Sequence, residues 1–123
     1  QRSAERLFTT FSGRAAQAPH AFPQFLIAVD FWLGPSQEIV IAGDPTAPDT
    51  REMIRLVYRQ FLPRAVLALH PTDEAARQVE ALIPFMKEQL PIRGNATAYV
   101  CQNYVCNLPT TDSNKLASLL ASL

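Results

Sequence analysis

Cysteine is scarce in this chain, which holds two among 123 residues, Cys101 and Cys106. A secreted scaffold built on disulfides needs more cross-links than one pair supplies, so stability must come from an apolar core. Long apolar runs are missing too: stretches such as Phe25 to Val29 fall far short of a bilayer span. No charge of one sign dominates, since Lys plus Arg and Asp plus Glu number 11 each. Without a net field the composition predicts neither a nucleic-acid partner nor a membrane surface. No apolar leader follows Gln1-Arg2-Ser3, so the expected location is cytoplasmic. The chain also opens without methionine, and the expectation is a processed or excised piece of a larger protein. One glycosylation sequon, Asn95-Ala96-Thr97, is present, and without a leader it is expected to go unused.

What is present is an ordinary globular composition, 48% apolar and 18% charged, in a chain long enough to bury a core. The first third reads as two helices. Leu7, Phe8, Phe11 and Ala15 make one apolar stripe over residues 3–16, and Pro19 breaks the pattern. A second helix over residues 23–33 starts with Pro23 in its first turn and stops at Gly34-Pro35. Phe22, Phe25, Leu26, Val29, Phe31, Trp32 and Leu33 make it apolar around most of its surface, which predicts burial on more than one side. Asp30 interrupts this surface and calls for a partner if buried.

From Gln37 the pattern changes. Residues 38–42 are a β-branched run ended by Gly43-Asp44-Pro45, as in a buried strand. Asp49-Thr50-Arg51-Glu52 has the form of a capping box, with Asp49 as cap of a helix running to about residue 62. Met53, Ile54, Val57 and Phe61 would face inward along it. Residues 65–69 read as a second buried strand, and Thr72 as the cap of the next helix, which Pro84 kinks or restarts. Residues 96–101 and 104–106 read as paired strands turning at Gln102-Asn103, and a last helix opens near Asp112. The expected fold class is α/β: a helical hairpin over residues 1–35, then β-α-β-α-β-β-α over residues 36–123. The first two strands should be parallel with a right-handed crossover, and the hairpin should add antiparallel strands. A thioredoxin-like sheet and a small Rossmann-like sheet both fit that order.

Chemistry has few places to sit. The loop after the first strand, with Asp44, Asp49 and Thr50, occupies the usual ligand position of an α/β sheet. It lacks the glycines of a dinucleotide fingerprint and the lysine of a phosphate loop, so no cofactor is expected. It also lacks the Cys-x-x-Cys pair that a working thioredoxin carries there. His70, at the end of the second strand, has no evident acidic or nucleophilic partner nearby in sequence. Cys101 and Cys106 admit three readings: buried thiols, a disulfide or redox switch, or half of a metal site. A two-residue turn at Gln102-Asn103 would oppose Cys101 to Tyr104, and only a four-residue loop over residues 102–105 would bring the cysteines together. Metal would need two further ligands, and only His20 and His70 offer themselves, so no metal site is assigned. Phe22, Phe25, Phe31 and Trp32 are a core or an interface, with a sugar-stacking platform as the alternative.

Residues 25–31, Gly34-Pro35, residues 38–43 and Arg59-Gln60-Phe61-Leu62-Pro63 together resemble a known family, as does the tail Thr97-Ala98-Tyr99-Val100-Cys101-Gln102-Asn103 with Cys106 and Pro109. They are similar to the carboxyl-terminal region of the spermatogenesis-associated, thioredoxin-domain-containing proteins and their bacterial YyaL-like relatives. The resemblance implies an amino-terminal thioredoxin-like domain, then a toroid of the six-hairpin glycosidase or N-acylglucosamine epimerase type, then a tail like this one. It implies that residues 1–35 end the toroid, and that upstream domains contact the apolar helices around Phe25 and Trp32. It also makes the C-x4-C spacing a family feature. The family's redox motif and toroid carboxylates have no matching positions here. The functions expected are a non-catalytic accessory module, or a thiol–disulfide module using Cys101 and Cys106, or a carbohydrate-binding surface.

Overall fold

The structure, a computed structural model, describes residues 2–102 and 105–122. The chain divides into two compact units, Gln1–Pro35 and Ser36–Leu123. Among the described residues no helix is long and apolar enough to cross a membrane.

The helical unit holds α1 (Arg2–Gln17), a short 3-10 helix (Pro19–Ala21) and α2 (Pro23–Leu33). Pro23 supplies the first residue of α2, and the Gly34 amide closes its last turn on the Asp30 carbonyl at 2.9 Å. Aromatic side chains join the helices: the Phe8 ring lies 5.4 Å from Trp32 and 5.7 Å from Phe25, and Phe11 lies 6.3 Å from Phe25. Within this chain none of the α2 residues is buried and Asp30 is exposed. Each helix of the hairpin covers only one stripe of the other, and Leu26, Ile27, Trp32 and Leu33 remain exposed.

The second unit is a mixed α/β domain. Its strands are β1 (Gln37–Gly43), β2 (Ala65–Pro71), β3 (Thr97–Gln102) and β4 (Val105–Cys106), in the order β2-β1-β3-β4. β1 and β2 are parallel, while β3 is antiparallel to β1 and β4 to β3. The antiparallel pairs make the sheet mixed, as the hairpin expectation required. Alternation along β1 assigns the two faces. Ile39 and Ile41 pack with Ala98 and Val100 under Met53 and Val57 of α3 (Pro48–Tyr58) and Leu116 and Leu120 of α5 (Ser113–Leu120). Glu38, Val40 and Ala42 point to the opposite face, where α4 (Ala76–Leu82) and a 3-10 helix (Pro84–Glu88) lie over His70.

Several boundaries differ from expectation. The residue before α3 is Ala47, with Pro48 in the first turn and no side-chain cap, so Asp49 is not the cap. α3 also ends at Tyr58, and Phe61 beyond it is exposed while Leu62 packs on the core. Thr72 does not cap α4, which begins at Ala76 after a turn in which the Asp73 carboxylate accepts from the Ala75 amide at 2.9 Å. Pro84 does stop that helix and restart the chain, as a 3-10 turn. β2 is half-buried rather than buried, because it lies at the sheet edge with Val66 exposed. Asp112 caps α5 as its position suggests, accepting from the Asn114 and Lys115 amides.

Candidate functional site

The loop after β1 is occupied by its own internal bonds. Asp44 Oδ1 accepts from both the amide and the hydroxyl of Thr46 at 2.7 Å, which holds its carboxyl below the ordinary carboxylate range. Asp49 Oδ1 accepts from the Thr50 amide at 2.9 Å, and its Oδ2 accepts from the Ala96 amide of the segment entering β3 at 2.8 Å. Thr50 is fully buried, and its hydroxyl fills the space beside Gly43 that a Cβ there would need. Asp44 thus closes the loop on itself, and Asp49 ties it to the segment entering β3.

His70 does not join them. It is buried on β2, with Nδ1 2.7 Å from the Gln89 carbonyl and Nε2 3.2 Å from Glu80 Oε1. A carbonyl only accepts, so Nδ1 carries the proton and donates. The carboxylate partner absent from the neighbouring sequence comes from α4. His70 thus ties the α4 segment to the sheet.

The chemistry gathers at the other end of the sheet. Cys101 and Cys106 are joined as a disulfide, with Sγ atoms 2.04 Å apart. The register opposes Cys101 to Cys106 and Gln102 to Val105, so Gln102 is a strand residue and not part of the turn expected there. Asn103 and Tyr104, which that expectation also used, lie outside the described residues. The Asn107 amide bonds to the Val100 carbonyl at 2.9 Å, which makes 101/106 a non-hydrogen-bonded pair, where opposed side chains come closest. Glu38 opposes Cys101 across β1 and β3, so Glu38, Cys101 and Cys106 form one row on one face of the sheet.

This row lines a pocket of about 390 Å³. Phe85, Tyr99, Pro109 and the disulfide give it apolar walls, and Glu38, Glu88, Gln89 and Asn107 supply its polar groups. Gln89 is 7% exposed, and its Nε2 approaches both sulfurs, at 3.8 Å to Cys101 and 4.0 Å to Cys106. The Tyr99 hydroxyl donates to the Leu90 carbonyl at 2.6 Å, and burial pushes its phenol up from the ordinary value. Glu38 Oε1 accepts from Ser36 Oγ at 3.2 Å, while Glu38 Oε2 and Gln89 Oε1 are buried without a donor among the described residues. Cys101 is 3% exposed and Cys106 is exposed, so one sulfur is sheltered and the other sits at the surface.

Glu38 and Gln89 did not stand out in the sequence. A signal for Glu38 was there: it is the one charged residue of β1. Gln89 had none, since its place depends on how the Pro84 turn folds back over the sheet. The described residues contain no group of three or more His, Cys, Asp and Glu side chains able to hold a metal ion.

No family model matches the chain, and no solved structure does. Among curated proteins it is similar to spermatogenesis-associated protein 20 of Homo sapiens, 35% identical over 117 residues, and to the protein of that name in Rattus norvegicus, 33% identical over 117 residues. Each match covers 93% of this chain, and the chain spans 14% of the length of each relative. Over 93% of its length, the chain is homologous to the spermatogenesis-associated protein 20 family.

Proposed function

We propose that residues 36–123 are an accessory α/β domain of a larger protein, and that its chemically competent element is a thiol–disulfide pair, Cys101 and Cys106. One observation carries this reading: the bond lies on the wall of the 390 Å³ pocket with Cys106 exposed and Cys101 buried. That asymmetry defines an attack site and a leaving sulfur, as thiol–disulfide exchange requires. Equilibration in glutathione buffers of graded poise, followed by a count of free thiols, tests the reading. A transition between about −180 and −300 mV supports a working pair, whereas a bond that opens only with unfolding would leave a structural cross-link.

A second reading concerns the helical unit. The exposed Leu26, Ile27, Trp32 and Leu33 of α2 favour its packing against upstream domains of the same polypeptide, the toroid implied by the family resemblance. Leu33→Glu, at a side chain 77% exposed, should leave the 123-residue chain folded and destabilise the longer protein; equal effects in both would refute this contact.

A further inference from the structure

The pocket beside the disulfide carries negative charge without positive charge. Two carboxylates, Glu38 and Glu88, line it, and no lysine or arginine does. Glu38 Oε2 and Gln89 Oε1 are buried without a donor among the described residues, although Gln89 is more than nine-tenths buried. Buried acceptors without partners are costly, and a ligand that brings N–H groups and positive charge offsets that cost. Phe85, Tyr99 and Pro109 give the same pocket apolar walls suited to a methylene stem or to a cation lying on a ring.

We propose that this pocket recognises a cationic group, an ammonium or guanidinium on an apolar stem, carried by the thiol that exchanges with Cys106. In a protein partner this would be a lysine or arginine side chain close to the attacking cysteine. The inference rests on the thiol–disulfide reading above and adds the partner's chemistry. In the exchange, the partner's thiolate attacks Cys106 Sγ. A bond forms between those two sulfurs as the Cys106–Cys101 bond breaks. The electron pair leaves on Cys101 Sγ, which takes a proton from water. A second partner thiolate then attacks the mixed disulfide, releasing Cys106 as a thiolate and the partner as its own disulfide. The chain is reduced by two electrons and the partner thiols are oxidised by two.

Opening rates of the bond with small thiols of different charge test this on the whole chain. Cysteamine, 2-mercaptoethanol and 2-mercaptoethanesulfonate carry positive, neutral and negative charge, and rates are compared per thiolate at low ionic strength. Cysteamine should be faster than the sulfonate by roughly five- to tenfold, with the neutral thiol between them, and 1 M salt should collapse the ratio. Glu38→Gln should lower the ratio towards one. So should Glu88→Gln, a change at an exposed position that leaves the fold alone. Equal rates, or a ratio that both variants preserve, would overturn the cation site while leaving the redox reading intact. Failure of 2-mercaptoethanol to open the bond in the folded chain would overturn both.

Discussion

The His70 ring donates from Nδ1 to the Gln89 carbonyl at 2.7 Å, and the side chain of that same Gln89 stands 3.8 Å from the sulfur of Cys101. A buried histidine at one end of the sheet thereby sets the height of the residue that roofs the disulfide at the other. The α4 segment contributes little of its own to hold it down: α4 has no buried residue and no side-chain cap, and of the 3-10 helix after it only Met86 is buried. The bonds of His70 to Gln89 and Glu80 therefore anchor it to β2, as the Tyr99 hydroxyl anchors the adjoining Leu90 to β3.

His70→Ala removes both anchors and leaves a cavity. The expected loss is about 2–4 kcal/mol of unfolding free energy, read from the urea midpoint. The same variant should speed opening of the Cys101–Cys106 bond by a neutral thiol, because Gln89 no longer holds its place. A stability loss with no change in opening rate would break the link between the two residues.

Asp49 was legible as an acidic residue at a helix start, but not in its role. It accepts from the Ala96 amide, 47 positions away, and so fastens α3 to the segment entering β3. Asp49→Ala strands a buried amide and should cost about 1–3 kcal/mol. Asp49→Asn keeps an acceptor and should recover part of it. Protection of the Ala96 amide from hydrogen exchange is the direct readout, and it should fall in the alanine variant.

The hydroxyl of Thr46, and after it the Thr46 amide, hold the Asp44 carboxyl below the ordinary carboxylate range. A carboxyl lowered on folding adds stability that is present above the ordinary carboxylate range and is lost as pH falls through the folded value. The Thr46 amide resonance should therefore follow a midpoint below the ordinary carboxylate range. Thr46→Val should move the Asp44 midpoint upward. An unmoved midpoint would remove the hydroxyl as the cause.

The α/β class and most elements could be read from the chain because punctuation and period agree there. Pro23 and Gly34 bound α2, and Ile39, Val40 and Ile41 mark β1 without ambiguity. Errors fall where a long-range contact outranks a local pattern. Asp49 has the spacing of a cap, yet Pro48 opens the helix and the carboxylate reaches β3. Phe61 continues the inward spacing of Met53 and Val57, but the helix stops at Tyr58 and the phenylalanine turns out to solvent. The candidate site was half legible. Cys101 and Cys106 were visible as a pair, while their register depended on turn residues with no preferred glycine. Glu38 enters the site only through its place opposite Cys101, and Gln89 only through the fold of the Pro84 turn.

The reactivity of Cys101 and Cys106 in the folded chain tests the central claim most directly. The native chain is alkylated before and after a brief exposure to a neutral dithiol, with its far-UV circular dichroism followed throughout, and the adducts are located by mass spectrometry. The account predicts no label at either cysteine before reduction, label at both after it with the fold retained, and closure of the bond once the dithiol is removed. Thiols that label only after denaturation, or a bond that opens only as the domain unfolds, would contradict it.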